Sequence, residues 1–317
     1  MTALDREIHV VNNLGMAMPE SITSLPRIRL TDLGPDEPVP EDLRADVVYA
    51  HTHGGANLPE LLTRGVRWVQ VIGVGVDRFP LDALTDDQVL ACARGATAVP
   101  IAEFVMAAML ASAKAMPEVW LDGPPENGWF TRSRLTGLHE KTVVIVGTGG
   151  IGAQVARHCL GFGMRVIGVR RQPLPSPVVG MEISTSLAEV IAEADHLVLA
   201  APATRETVRL VDRELLALAR PGLHLVNIAR GTLVDEDALR AALDDGTLVR
   251  ATLDAVEPEP LPAGHWMYDH PGVRLSPHVS WAGPGALTSM TDAFVTNYHH
   301  FVAGRELEGV VDRELGY

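Results

Sequence analysis

Residues 147–152 read Gly147-Thr148-Gly149-Gly150-Ile151-Gly152, directly after the apolar run Thr142–Val146 and directly before AQVARHCLG. This feature constrains the fold more than any other in the chain. G-x-G-x-x-G between a strand and a helix is the phosphate turn of a βαβ unit. Gly147 permits the tight turn, Gly149 lets the backbone approach a pyrophosphate, and Gly152 lets the helix pack closely on the strand. Gly150 and Ile151 open the helix, whose free N–H groups and partial positive charge then face the phosphates. The plainer alternative is a glycine-rich turn that serves packing alone.

The rest of the chain supports the same unit. Strand-like runs recur at Arg165–Val169, His196–Ala200, His224–Ile228, Val249–Leu253 and Val273–Ser276. Helical stretches lie between several of them, the pattern of an α/β fold with parallel sheets. Ser186 and Asp235 read as N-caps, the second of a helix reaching Asp245 and stopped by Gly246. Before the glycine turn, strands are expected at Ile8–Val11, Asp46–Ala50 and Trp68–Ile72. A long helix is expected over Pro100–Trp120, with proline in its first position. A last helix is expected over Pro284–Ala303.

About 140 residues precede the glycine turn, so another domain comes first. The chain beyond residue 280 is too short for a third. The simplest arrangement is two doubly wound parallel-sheet domains of Rossmann or flavodoxin type, with the cofactor domain inserted into the substrate domain. The expected boundaries are 1–97 and 285–317 for the substrate domain, and 98–284 for the dinucleotide domain.

Composition excludes other classes. With 40 acidic and 26 basic residues among 317, the net charge is −14, the opposite of the basic footprint that a nucleic-acid partner requires. Cys92 and Cys159 are the only cysteines, too few for a disulfide framework or a structural zinc site. The first twenty residues lack a signal-peptide apolar core, and no apolar run reaches membrane-spanning length. A cytoplasmic protein with no membrane partner is expected. His51-Thr52-His53 places two histidines at i, i+2 with no cysteine nearby, a poor ligand set, so no metal is expected.

The second strand of the unit sets the cofactor. NAD-preferring sites end it with Asp or Glu, which binds the ribose 2′-hydroxyl. Here RVIGV ends in Arg170-Arg171. An acid would repel a 2′-phosphate, whereas a guanidinium grips it bidentately. NADP(H) is the expected cofactor, and NAD(H) use stays open if both arginines are merely solvated.

Three segments follow: NIARGTLVDEDAL (Asn227–Leu239), LDAVEPEPLP (Leu253–Pro262) and LSPHVSW (Leu275–Trp281). With the glycine turn and VIGVGVD (Val71–Asp77), the chain resembles the D-isomer-specific 2-hydroxyacid dehydrogenase family over nearly its whole length. The Arg170-Arg171 ending resembles the NADPH-using glyoxylate and hydroxypyruvate reductases of that family. The resemblance implies a catalytic trio. Arg230 would bind the substrate carboxylate and keto oxygen, His278 would be the general acid/base, and Glu259, rather than Glu257, would pair with His278. It also implies substrate contacts from Val74, Gly75 and Trp281, and cofactor contacts from Thr97, Ala229 and Asp254. Packing alone is the equal alternative for Trp281. Relatives imply a homodimer through the Pro100–Trp120 region.

The chemistry requires these residue types. Reduction of a 2-keto acid builds negative charge on the carbonyl oxygen, and an imidazolium in reach supplies the proton. A neighbouring carboxylate fixes the ring's tautomer and orientation. The substrate carboxylate suits a planar, permanently charged fork, which arginine provides. The expected reaction is thus NAD(P)H-dependent interconversion of a small 2-keto acid and its D-2-hydroxy acid. The alternative of another class is a non-catalytic dinucleotide-sensing or corepressor-like scaffold.

Overall fold

The Val, Ile and Leu runs form two parallel sheets in the computed structural model, which describes residues 5–124 and 135–317. The chain divides into two units, Met1–Thr97 with Gly283–Tyr317, and Ala98–Ala282. The second is therefore inserted into the sequence of the first.

The first unit holds β1 (Ile8–Asn13), α1 (Glu20–Thr23), β2 (Ile28–Asp32), β3 (Val47–Ala50), α2 (Leu58–Leu62), β4 (Trp68–Val71) and β5 (Val89–Cys92). They form one sheet of order β2-β1-β3-β4-β5, parallel throughout. β3 and β4 are buried along their whole length, as strands covered on both faces are. Asp46, expected as the first residue of β3, lies outside it. Its carboxylate instead accepts from Arg6, from Arg67 and from the His9 N–H.

The second unit begins with α3 (Ala98–Ala113) and continues with β6 (Thr142–Val146), α4 (Gly150–Gly161), β7 (Arg165–Val169), β8 (Met181–Ser184), α5 (Leu187–Val190) and β9 (His196–Leu199). It ends with α6 (Arg213–Leu218), β10 (Leu223–Asn227), α7 (Glu236–Asp244), β11 (Leu248–Leu253) and β12 (Val273–Leu275). The sheet order is β12-β11-β10-β9-β6-β7-β8. Order reverses between β6 and β9, the switch point where doubly wound sheets take their ligands. The chain then returns to the first unit with α8 (Ala286–Ala303). Phe294 stacks on Tyr49 and Trp68 there, and Phe301 tilts against Trp68.

Three expectations are corrected. The helix expected over Pro100–Trp120 runs instead from Ala98 to Ala113. Pro100 is tolerated because a first-turn N–H has no helical partner anyway. The end comes early because Ala115 adopts φ 48°, the Met116 N–H reaches back to Ala111 O, and Pro117 has no N–H with which to continue. Ser186 precedes α5 but its side chain caps nothing; its own N–H is taken by Ser184 Oγ at 3.1 Å. The last helix starts at Ala286 rather than Pro284, after Gly285 at φ 79°. Asp235 does cap α7, accepting from the Ala238 N–H at 2.9 Å.

Candidate active site

The turn from β6 into α4 is as tight as backbone can be. A Cβ on Gly147, which sits at φ 96°, would lie 2.6 Å from Ala200 O, and one on Gly152 would lie 1.9 Å from Gly147 O. Gly149 differs: nothing stands within 4 Å of the place its Cβ would occupy. It is the N-cap of α4 and no side chain caps that end. Two glycines are thus required by packing, and the third leaves open space in front of the uncapped N–H groups of α4, opened by Gly150 and Ile151. That arrangement fits a pyrophosphate.

β7 ends at Val169, so Arg170 and Arg171 follow directly at its carboxyl end. Arg170 is half-buried and Arg171 exposed. Arg171 Nη1 pairs with Glu206 Oε2 at 3.1 Å. Glu206 belongs to the loop after β9, so this pair ties the loop leaving β7 to the loop leaving β9, the strands on either side of β6.

Arg230, Glu259 and His278 lie beyond the carboxyl ends of the neighbouring strands β10, β11 and β12. Arg230 introduces a 3₁₀ turn, Gly231–Leu233. A Cβ on Gly231 would lie 2.1 Å from the Val256 carbonyl carbon, so the Arg230 loop rests backbone on backbone against the loop leading to Glu259. Buried Asn227, last residue of β10, fixes both. Its Nδ2 donates to Arg230 O at 2.8 Å and Ala255 O at 3.4 Å, and its Oδ1 accepts from the Ala229 N–H at 3.0 Å. Arg230 Nη1 donates to Ala229 O at 2.8 Å.

His278 sits at φ 53°, a region that non-glycine residues occupy only where their surroundings hold them. Asp254, directly after β11, provides that hold. Its Oδ1 accepts from Ser276 Oγ at 2.6 Å and the Val279 N–H at 2.9 Å, its Oδ2 from the Ser280 N–H at 2.8 Å. Its carbonyl accepts from the His278 N–H at 3.0 Å. Trp281 Nε1 donates to His278 O at 3.0 Å. Asp254 and Trp281, whose expected roles are cofactor and substrate contacts, thus both hold the backbone around His278. His278 Nδ1 lies 3.2 and 3.1 Å from the two oxygens of Glu259. A carboxylate only accepts, so Nδ1 carries the proton and Nε2 is left to face a reactant.

In the first unit, Val74 and Gly75 lie in the loop leaving β4. Their N–H groups donate to no backbone carbonyl among the described residues. Thr97 is buried and ends the first segment of that unit. Sequence reading did not single out Asn227 as a positioning group. Its signal was a polar residue closing the apolar strand LHLVN.

The family model for the D-isomer specific 2-hydroxyacid dehydrogenase, NAD binding domain, matches residues 106–280. The chain belongs to that family. Glyoxylate/hydroxypyruvate reductase B of Pectobacterium carotovorum subsp. carotovorum (strain PC1) is 34% identical over 261 residues, covering 79% of this chain and 80% of the relative. The NADPH-dependent glyoxylate/hydroxypyruvate reductase of Sinorhizobium meliloti, solved with NADP and sulfate, superposes with a TM-score of 0.79 at 25% identity, covering 98% of this chain and 100% of that one. A D-isomer-specific 2-hydroxyacid dehydrogenase of Xanthobacter autotrophicus Py2, solved with NADPH and MES, gives a TM-score of 0.82 at 25% identity, covering 98% and 100%. As a member of the D-2-hydroxyacid dehydrogenase family, the protein is an oxidoreductase acting on a CH–OH group with a nicotinamide dinucleotide. No helix among the described residues is long and apolar enough to cross a membrane.

Proposed function

We propose that the protein reduces a small 2-keto acid of the glyoxylate or hydroxypyruvate kind to its D-2-hydroxy acid, with NADPH preferred over NADH. The observation that carries the reductase reading is the His278–Glu259 pair, which occupies Nδ1 and leaves Nε2 for a reactant. The named activities of the relatives support the substrate class. Arg170-Arg171 in place of an acid after β7 supports NADPH.

In this reading the second unit takes the dinucleotide. Gly147, Gly149, Gly150, Ile151 and Gly152 cradle its pyrophosphate, Arg170 and Arg171 its 2′-phosphate, and Ala229 and Thr97 border its nicotinamide end. When bound, the nicotinamide supplies the hydride for reduction, or accepts it in the reverse direction. Arg230, in the second unit, binds the substrate carboxylate; in the first unit the Val74 and Gly75 N–H groups are the candidates for contact with it. Arg230 also meets the keto oxygen, where negative charge builds. His278 delivers the proton from Nε2 to that oxygen, and Glu259 keeps the ring oriented and balances its charge. Asp254, Asn227 and Trp281 act through His278 and Arg230 by holding their backbones.

α3 is apolar on nearly every side, with Glu103 its one charged residue. Val99 is 51% exposed on it, and Trp120, beyond its end, is 67% exposed. We infer that a second copy covers this surface in a homodimer, and light scattering at micromolar concentration checks it: a monomeric mass refutes it. The activity is tested by following NADPH absorbance with glyoxylate, hydroxypyruvate, pyruvate and phenylpyruvate. Turnover of the first two is expected. No turnover with any of a broad 2-keto-acid panel overturns the reading.

A further inference from the structure

Glu236, Arg240 and Asp244 stand four apart along α7, so they share one face of the helix. A charged stripe of this spacing ordinarily faces water. Here each member meets the segment that follows Glu259. Glu236 Oε1 accepts from Trp266 Nε1 at 2.7 Å and lies 3.0 Å from His265 Nε2. The Arg240 guanidinium carbon lies 5.4 Å from the centroid of the Trp266 ring. Asp244 Oδ1 lies 3.4 Å from His270 Nε2, and the His270 ring meets Trp266 edge-on with centroids 5.7 Å apart.

The backbone fixes which way both imidazoles donate. The Met267 N–H donates to His265 Nδ1 at 3.4 Å, and the Gly272 N–H to His270 Nδ1 at 3.1 Å. Each Nδ1 therefore accepts, and each Nε2 carries the proton directed at its carboxylate. Trp266 and His265 thus both donate to one oxygen of Glu236, whose charge strengthens the two bonds.

This contact joins the segments that carry the catalytic groups. α7 follows the 3₁₀ turn Gly231–Leu233, which Arg230 introduces. Trp266 opens another 3₁₀ turn, Trp266–Tyr268. Tyr268 Oη donates to the carbonyl of buried Leu261 at 3.1 Å. That bond bypasses the exposed stretch 262–264 and ties the turn to the chain two residues beyond Glu259. Gly231 and Val256 meet backbone on backbone. Beyond them the two segments part around a cavity of about 310 Å³, lined by Gly231, Val234, Glu236, Val256, Glu257 and Met267. Side chains do not pack across that space; Glu236, through Trp266 and His265, joins the segments beside it.

We propose that Glu236 is a positioning residue for the catalytic pair: by holding Trp266 and His265 it sets where Glu259, and through it His278, stands relative to Arg230. This rests on the reading of those three as the catalytic groups. A displacement of about 1 Å at a reacting group costs up to about 10²-fold in rate, even when its cause lies away from the chemistry. Glu236 touches neither substrate nor cofactor in this reading, so its loss lowers kcat and leaves cofactor affinity alone.

The test is a double-mutant cycle on kcat, with NADPH and the best substrate of the 2-keto-acid panel. Glu236→Ala is expected to lower kcat about ten-fold, and Trp266→Phe, which keeps a ring and loses the Nε1 donor, about five-fold. Glu236→Gln keeps an oxygen that accepts from both donors and should restore kcat to within about two-fold of wild type. The dissociation constant for NADPH should stay within about two-fold in all three. In a Glu259→Gln background, Glu236→Ala should cost less than about two-fold, because the group it positions no longer acts. A general loosening of the fold would cost the full factor again there, and that result overturns the proposal. So does a kcat unchanged in both Glu236→Ala and Trp266→Phe. Thermal melting checks folding; if Glu236→Ala does not fold, Trp266→Phe carries the cycle. Either failure leaves the reductase reading intact, whereas a wild-type protein that turns over no 2-keto acid overturns that reading and this proposal with it.

Discussion

His278 presents Nδ1 to both carboxylate oxygens of Glu259, at 3.2 and 3.1 Å, from a left-handed backbone position that Asp254 holds through four hydrogen bonds. The pair fixes which nitrogen can reach a reactant. Glu259→Gln keeps the size of the side chain but lets the ring turn and removes the balancing charge. A fall in kcat of about 10²-fold is expected, with the dissociation constant for NADPH within about two-fold of wild type. Stopped-flow turnover and fluorescence titration separate the two. A kcat within a factor of three of wild type refutes the role.

The glycines of the phosphate turn separate into two kinds. Gly152→Ala forces a methyl group against Gly147 O, where a Cβ would sit at 1.9 Å. Overpacking of this kind costs about 1–3 kcal/mol or more, and a lowered melting temperature is expected. Gly149→Ala meets only open space, so its melting temperature should hold while dinucleotide affinity drops. Equal loss of stability in both variants would contradict the assignment.

Glu206 is the counterweight to Arg171. Its carboxylate pairs with the guanidinium at 3.1 Å and would repel a 2′-phosphate arriving at the same place. Glu206→Gln should raise the NADPH-to-NADH affinity ratio about five-fold, the size of one exposed charge pair. Arg170→Asp should lower it. Calorimetric titration with each nucleotide measures both, and no change in either variant removes this surface from the cofactor site.

His196 and His224 form a buried pair on β9 and β10, with Nδ1 atoms 3.2 Å apart and His224 Nε2 3.0 Å from Thr252 Oγ1. Burial, with Lys141 adding to it, pushes His196 down to about 4. Burial, with His196 and Arg250 adding to it, pushes His224 well down also. The unfolded chain therefore takes up protons that the folded one refuses, starting where free histidine titrates, about pH 6.5. Stability is full above that pH and falls as pH drops toward about 4, where the His196 contribution to the loss levels off. Urea midpoints from pH 7 to 4.5 should show the decline, and His196→Gln should flatten it. A flat wild-type profile would sink the idea.

The glycine turn and the buried central strands could be read from the sequence because each depends on residues adjacent in the chain. The edge strands β2 and β8 could not, because IRLTD and MEIS are only partly buried and lack a continuous apolar run. The end of α3 was hidden because Ala115, not a glycine, takes the left-handed position. Ser186 looked like a cap, but its side chain accepts from no N–H of α5. Glu259 was separated from Glu257 by family spacing alone; a single sequence offers no physical reason to prefer either. Asn227 escaped, and Asp254 was named only for the cofactor, because their partners come from loops 3 to 28 residues away, contacts that only the folded sheet creates.

The ladder across β10, β11 and β12 pairs Asn227 with Leu253 and Leu253 with Leu275. The three strands thus finish level, and Arg230, Glu259 and His278 hang from one common baseline. Inserting or deleting a single residue within β11 would turn its buried side chains to the opposite face and shift the loop bearing Glu259 past its neighbours. The same change in the exposed stretch 262–264 would be absorbed before it reached Glu259. Tolerance to length change in this region is accordingly set by the sheet's register rather than by distance from the catalytic groups.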